Sequence, residues 1–424
     1  MATVPTGLSR LTCLDVLRGV AVMGILIMNI NNWGLGRPGY WNAGAIGGSE
    51  GLDLAVWWID TVFAADKMRG LFSLMFGAST LLVIQRAMAK EEGPARVHYS
   101  RMIALLILGY AHYAFIWRSD ILVLYACCGL LLFLFRNLSP RALWIWAALF
   151  FLAALVPAAL FMVPPGLAGY GYIANPPADL IAAFNDMNLW NGPASPNTAA
   201  DLTLHRSGYA DLFHSRVVEN TFSRFEMLQY EGAETVSLML IGMALFKQGM
   251  LTGEWAVARY NTLALVGIGV GVAANSVLAM WQLQEGFGGY ATFTSHILWS
   301  MPFDFLMSVG YAALVMAWVR SAGPSRLLDR LAAVGRMAFT NYLMTSIVMT
   351  TIFYGYGLGL TGHLHRAQLF LLVLGMWALM LTWSKPWLDR FNYGPFEWLW
   401  RSMSRLRLQQ MRRKGPLQAA PAPV

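Results

Sequence analysis

Residues 14–33 read LDVLRGVAVMGILIMNINNW, and this stretch decides the class of fold. Its charges are confined to Asp15 and Arg18. At 1.5 Å per residue a helix over this run reaches about 30 Å, the thickness of a bilayer's hydrocarbon core. The run is too long for the apolar segment of a cleavable signal peptide, and no small-residue cleavage site ends it. It is expected to remain as an anchor.

Comparable runs recur outward from it. Spans are expected at about 14–33, 54–88, 101–117, 120–136, 141–163, 230–247, 258–281, 293–319, 332–354 and 367–385, the second interrupted by polar residues from Asp66 to Arg69. Hydrophobic residues make up 57% of the chain and charged ones 12%, with a mean hydropathy of +0.50, whereas a soluble domain carries roughly 25% charged residues. The runs are continuous rather than alternating, which excludes a barrel. The expected fold is therefore all-α, a polytopic transmembrane bundle of about ten spans.

The net charge of +8 does not point to nucleic acid, because the cations fall in alternate short loops. Arg86, Lys90, Arg96 and Arg101 share one loop, and Arg136 and Arg141 another. Lys247 with Arg259, then Arg320, Arg326, Arg330 and Arg336, and finally Arg401 to Lys414 complete the set. The positive-inside rule places these loops and both termini in the cytoplasm. Residues 1–390 then form the helical domain, with an extracytoplasmic cap at about 164–229 marked by Pro-, Gly- and Asn-rich turns. Residues 391–424 form an amphipathic, basic cytoplasmic tail suited to an anionic leaflet. Cys13, Cys127 and Cys128 have no metal-site or disulfide spacing, so no metal is expected. Walker, GxSxG and HExxH motifs are missing from the sequence, which leaves nucleotide hydrolysis, serine hydrolysis and zinc proteolysis without support.

Ionisable groups inside a span cost a few kcal/mol on insertion scales, so each needs a partner or a function. Asp15, Arg18 and Asn29 fall within about 60° of one helical face at 100° per residue. They either line a cavity or serve as a surface ion pair with a packing amide. His112 ends one predicted helix and Asp120 begins the next, so a tight turn brings them together. An imidazole oriented by a carboxylate is a general-base arrangement, although a lone helical histidine is more often structural. Glu226, Tyr230 and Glu234 recur at i, i+4 and i+8, as an acceptor site or as the solvated end of a helix. Lys67 and Arg69 suit an anionic ligand or a snorkelling pair. His296 and Asp304 are weaker candidates, with Pro302 expected to kink the helix between them.

These motifs resemble a known family. Leu14-Asp-Val-Leu-Arg-Gly-Val-Ala-Val-Met-Gly-Ile-Leu-Ile-Met-Asn29, Lys67-Met-Arg-Gly-Leu-Phe-Ser-Leu-Met-Phe-Gly77, and Gly109-Tyr-Ala-His112 with Asp120-Ile-Leu-Val-Leu-Tyr-Ala126 resemble segments of the YeiB-like bacterial inner-membrane proteins. So do Gly335-Arg-Met-Ala-Phe-Thr-Asn-Tyr-Leu343 and Asn392-Tyr-Gly-Pro-Phe-Glu-Trp-Leu-Trp-Arg401. The opening motif is also similar to that of the lysosomal heparan-α-glucosaminide N-acetyltransferases. That resemblance implies acyl transfer from a cytoplasmic acyl-CoA, with acetyl-CoA expected, to a sugar or other small acceptor at the outer face. Asn29 matches the asparagine that closes the opening motif. The glucosaminide enzymes place an essential histidine soon after it, but none occurs here between Ile30 and Asp66.

The expected function is a multi-pass acyltransferase of the bacterial inner membrane, in which His112 is the base, Asp120 its orienter and Asn29 the donor to the thioester oxygen. Arg18, Lys67, Arg69, Glu226, Tyr230 and Glu234 are the expected binding residues. The bilayer and the acceptor are the expected partners, with room for an oligomer. The rival is a transporter or exporter using the same polar path without covalent chemistry.

Overall fold

The computed structural model describes residues 10–323 and 325–413. The Pro/Ala-rich end of the expected tail lies outside them. In chain order the helices are α1 (Arg10–Trp41), α2 (Gly51–Ile59), α3 (Lys67–Ala89), α4 (Pro94–Phe115), α5 (Leu122–Phe135), α6 (Pro140–Gly169), α7 (Ala178–Asn191), α8 (Asn197–Arg206), α9 (Tyr209–His214), α10 (Ser223–Lys247), α11 (Val257–Gln284), α12 (Gly289–Thr294), α13 (Met301–Ser321), α14 (Arg326–Arg336), α15 (Ala338–Phe353), α16 (Arg366–Arg390) and α17 (Pro395–Arg405). Wider π-helical turns follow α2, α9 and α12, at Asp60–Ala64, Ser215–Glu219 and Ser295–Trp299. Among the described residues there is no strand; one isolated bridge joins Phe391 to Arg412.

Among the described residues six segments are long and apolar enough to cross a membrane: Thr12–Trp41, Gly51–Ala89, Pro140–Gly169, Val257–Gln284, Met301–Ser321 and Arg366–Arg390. The chain is a membrane protein. Burial separates these segments by place in the bundle. The apolar window of α1 is 72% buried and that of α6 only 11%, so α1 is an inner helix and α6 turns most of its surface outward. Around α1 pack α3, α13, α14, α15 and α16.

Lipid offers helices little hydrophobic reason to associate, so close van der Waals contact has to supply it. Gly19 of α1 faces the Leu331 and Gly335 backbone of α14, while Gly335 in turn faces Asp15. A β-carbon at either glycine would collide with the opposite backbone. This contact brings Arg18 within reach of α14, where its Nη1 donates to the Gly335 carbonyl at 3.3 Å.

The expected interruption of the second span is real and has a definite geometry. The π-turn after α2 ends at Ala64, Asp66 takes a positive φ of 61°, and α3 restarts at Lys67. Pro302 does not kink a continuous helix. It lies in the first turn of α13, after a π-turn has already broken the span, and there its missing N–H removes no helical bond. The expected span at 332–354 divides at Met337 into α14 and α15. The arginine-rich loops and α17 lie together at what we term the basic end; α7, α8 and α9 cover the other, the cap end. Arg206 holds the cap to the loop after α15 through the Thr361 carbonyl, at 2.9 Å.

Candidate functional site

Two chambers enter the bundle from opposite ends. The one at the basic end has a volume of about 380 Å³ and is bordered by Asp15 and Arg18 of α1, Phe72 and Phe76 of α3, Tyr125 of α5, and a ring of arginines, Arg86, Arg101, Arg336 and Arg401. Among the described residues none of those four arginines forms an ion pair. Arg101 lies over the Trp400 ring at 4.2 Å and Arg401 over Tyr393 at 4.7 Å. Arg18 is held by Asp15 at 3.0 Å and by Ser79 Oγ at 3.1 Å. The chamber runs on, past Val83, Arg86, Arg101 and Arg401, into a groove of about 1140 Å³ that also borders Lys90, Arg96, Arg405 and Arg407.

The chamber at the cap end is smaller, about 180 Å³, and mixed in charge. Asn29, Asn32, Tyr40, Trp41, Asp66, Arg69, Glu231, Arg37, Arg118, Arg224, Asp201 and His205 border it. Its walls follow from two breaks in helical geometry. Gly36 of α1 has φ 70°, a left-handed conformation that favours glycine, and this turns Arg37, Tyr40 and Trp41 off the α1 axis. The break at Asp66 sets Asp66 and Arg69 beside one another, 3.4 Å apart. Arg69 also pairs with Glu234 at 2.7 Å and Glu231 at 3.6 Å.

The chambers share Ile25, Ile121 and Tyr342, which form the wall between them. Immediately behind Tyr342 is His112, with ring centroids 5.5 Å apart. His112 Nδ1 lies 2.7 Å from Asp120 Oδ1, and Asp120 Oδ2 accepts the Val123 N–H at 3.0 Å, which caps the start of α5. With Nδ1 as the donor to the carboxylate, Nε2 carries the lone pair. That nitrogen is buried and has no hydrogen-bond partner among the described residues. A buried polar atom left unbonded costs about 1–3 kcal/mol, so it asks for a reason.

A second imidazole–carboxylate pair borders the cap-end chamber directly. His205 Nδ1 donates to the Asp201 backbone carbonyl at 2.7 Å and lies 3.2 Å from the Asp201 carboxylate. Asp201 Oδ2 also accepts the Arg37 N–H at 2.9 Å. Burial works to raise the Asp201 pKa, but the bond to His205 and the Arg37 N–H hold it below the ordinary carboxylate value.

The residues singled out in the sequence divide clearly. Arg18 borders the basic-end chamber, while Asn29 and Arg69 border the cap-end one, and Glu234 stands behind Arg69. His112 and Asp120 are joined but border neither chamber, because Tyr342 covers the imidazole. Lys67 is not placed to meet a ligand: it is buried, and its ammonium contacts Asp304 at 3.0 Å, the Thr61 carbonyl at 2.7 Å and Asn275 at 3.1 Å. Glu226 and Tyr230 are exposed on the outside of α10 and face neither chamber. His296 packs its ring against Trp41 at 5.8 Å. Tyr342, Arg37, Arg118, Arg224, Glu231, Asp201 and His205 were not singled out in the sequence. The Gly-Arg-Pro at 36–38 and the Arg118-Ser-Asp120 turn were the available signals for two of them.

Comparison with known proteins gives the chain its relatives. It is 31% identical over 423 residues to the uncharacterized protein YxaH of Bacillus subtilis (strain 168), covering 96% of each chain. The chain belongs to the YeiB-like family. Similarity to the uncharacterized protein YeiB of Escherichia coli (strain K12) is 29% identity over 407 residues, 94% of this chain and 97% of that protein. An uncharacterized 39.9 kDa protein encoded 3′ of an amylase in Bacillus acidopullulyticus is 24% identical over 403 residues, 93% of this chain and 94% of that one. Residues 245–407 match the profile of a family described as a protein of unknown function, DUF418. No solved structure matches the chain significantly. Family membership thus fixes kinship, and the chemistry has to be argued from the chambers.

Proposed function

We propose that this protein is a membrane-embedded acyltransferase of the bacterial inner membrane, moving an acyl group from acyl-CoA at the basic end to a sugar or similar acceptor at the cap end. The observation that carries this reading is the shared wall: chambers from opposite ends come within one layer of side chains, with a histidine–carboxylate pair directly behind it. In this reading the chain crosses ten times. α1, α4, α5, α6, α10, α11 and α16 cross singly, and α2 with α3, α12 with α13 and α14 with α15 cross as broken spans. Both termini and the basic end are cytoplasmic, and α7–α9 form the outer cap.

The unpaired arginines of the groove and chamber hold the donor's phosphates, where planar guanidinium forks suit phosphate oxygens. The aromatic walls at Phe72, Phe76 and Tyr125 flank its thioester arm, and acetyl-CoA is the donor that leaves least bulk at the wall. Displacement of the Tyr342 ring brings the acyl carbonyl, the acceptor and His112 Nε2 together. The acceptor oxygen or nitrogen attacks the carbonyl carbon as its proton passes to Nε2, and Asp120 stabilises the imidazolium. Asn29, whose side chain makes no hydrogen bond among the described residues, donates to the oxyanion. Collapse breaks the carbon–sulfur bond, and the departing thiolate takes the proton back from the imidazolium.

The test is calorimetry of acetyl-CoA and longer acyl-CoAs with protein in lipid nanodiscs, followed by thiol release with glucose, glucosamine and glucose 1-phosphate as acceptors. Saturable binding that weakens with salt is expected, since partly exposed charge contacts are screened. A complete lack of acyl-CoA binding at low salt sinks the reading. The same thin wall also favours a second one, an exporter whose chambers open alternately. Acceptor movement across the membrane without thiol release selects it.

A further inference from the structure

The cap-end chamber contains four arginines, of which only Arg69 forms ion pairs among the described residues. Arg69 is surrounded by Asp66, Glu231 and Glu234. The side chains of Arg37 and Arg118 make no hydrogen bond or ion pair among the described residues. Both stand where the chamber opens into a cleft of about 400 Å³ under the cap, bordered by Trp41, Trp190 and Asn197. Arg224 donates once, to the Asp120 backbone carbonyl at 3.3 Å, and its Nε is buried and unbonded. The nearby carboxylate of Asp201 is already engaged by His205 and the Arg37 N–H. Arg118 acts electrostatically on both Arg37 and Arg224; the carboxylates that act on them are Asp201 and Glu231 for Arg37, and Asp120 and Glu231 for Arg224. Those carboxylates are engaged elsewhere, Asp201 by His205, Asp120 by His112 and Glu231 by Arg69, so the guanidinium donors are left to an anion that can supply direct partners.

We propose that Arg37, Arg118 and Arg224 hold an anionic oxo group, a phosphate or a carboxylate, carried by the acceptor. This assignment of acceptor class rests on the transfer reading above. Position supports it as well as charge. Arg118 lies two residues before Asp120, and Arg224 is bonded to the Asp120 backbone, so an anion held there anchors the acceptor beside the His112–Asp120 turn. Asp66 and Glu231, which border the same chamber, offer hydrogen-bond acceptors to hydroxyl groups. In the cleft beyond, the indoles of Trp41 and Trp190 offer apolar surface to a sugar ring. The acceptor is thus an acidic, hydroxyl-rich molecule, of the kind represented by a glycosyl phosphate or a uronic acid, either free or borne on a lipid.

The experiment uses the full chain in phosphatidylcholine nanodiscs at low salt, titrated with glucose 1-phosphate, glucuronate and neutral glucose. At least one of the two anions is expected to bind more tightly than glucose and to weaken with salt. The Arg37→Gln/Arg118→Gln variant should lose roughly ten-fold or more of that affinity, the scale of one or two charge-assisted contacts. Its response to glucose and its melting temperature should stay unchanged. A parallel arm replaces part of the phosphatidylcholine with phosphatidylglycerol. A stabilisation there that depends on Arg37 and Arg118, with no response to the soluble anions, supports a lipid-borne anion. Equal anion affinity in the double variant overturns the proposal, as does glucose binding as tightly as the anions, or no arginine-dependent response in either arm. Acyl-CoA binding at the basic end is read in the same preparations. Its loss with anion binding intact fails the transfer reading and leaves this subsite standing.

Discussion

The basic-end and cap-end chambers are built from similar residues but treat charge differently. In the first, Arg86, Arg101, Arg336 and Arg401 stand without carboxylate partners, while Asp15 is taken by Arg18 and Glu397 accepts the Thr340 N–H at 3.0 Å. What remains there is a field of one sign. In the second, Asp66, Glu231 and Arg69 share the lining with Arg37, Arg118 and Arg224. A one-sign field suits a polyanion of whatever shape and gives strong salt dependence. A chamber that mixes both signs orients its ligand, because the ligand's own charges and hydroxyls must match it. On the proposed reading, one end attracts and the other orients.

The sharpest way to break it is at the shared wall. If His112 is the base, His112→Ala should lower turnover per folded molecule by roughly 10² to 10⁴-fold while ligand binding at both chambers stays nearly constant, on top of a stability loss of about 1–3 kcal/mol from the stranded Asp120. A purely structural histidine gives the stability loss alone, with activity falling only in step with folded protein. Lys67 offers a control, because its pair with Asp304 belongs to neither chamber. Lys67→Met strands a buried carboxylate and should cost about 3–5 kcal/mol in chemical unfolding, weakening both chambers alike; selective loss of one would show that Lys67 serves it. A change confined to one end follows. Arg86→Gln with Arg101→Gln and Arg401→Gln should weaken acyl-CoA binding by about 10³-fold or more, as three charge-assisted contacts predict, and leave glucose 1-phosphate at the cap end unaffected.

The smallest effect concerns how the cap is held. Asp201 has a depressed pKa, so its contribution is fully present above the ordinary carboxylate range and is lost as pH falls through the folded value. Proteolytic cleavage of the 170–222 region should therefore accelerate modestly below about pH 4, near the unfolded carboxylate value. Asp201→Asn should show that faster cleavage already at neutral pH and little further acid response. An unchanged acid response in that variant would assign it to another group.

Much of the helical framework was legible because lipid demands long apolar runs and the chain supplies them. The interruption at Asp66 to Arg69 was visible for the converse reason, as charges that no span carries without a partner. His112 and Asp120 were readable as neighbours because eight residues across a tight turn leave little freedom. The binding residues were less legible, and angle explains part of this. Lys67 and Arg69 are about 200° apart around a helix at 100° per residue, so they face nearly opposite ways and do not serve one anion. Along Glu226, Tyr230 and Glu234 the face turns by about 40° at each step, which leaves the first two outside and turns Glu234 toward Arg69. Tyr342 matters through His112, 230 positions away, and Arg37 through Asp201, 164 positions away, and no local pattern in this chain reports those; the His205–Asp201 pair sits at i, i+4 but reaches the chamber only through the placing of the cap.

The wall of Ile25, Ile121 and Tyr342 has an electrical consequence. Where water-filled chambers approach from both faces of a membrane, they carry little of the potential difference, and most of the field falls across the thin dry layer that separates them. A unit charge crossing that layer does nearly the whole electrical work, about 2.3 kcal/mol per 100 mV. An acyl group is neutral and crosses without it. In the proposed transfer, with the thiolate and its phosphates on one side and the charged acceptor on the other, a reaction at this wall would exchange material between the two faces while leaving the membrane's charge separation intact.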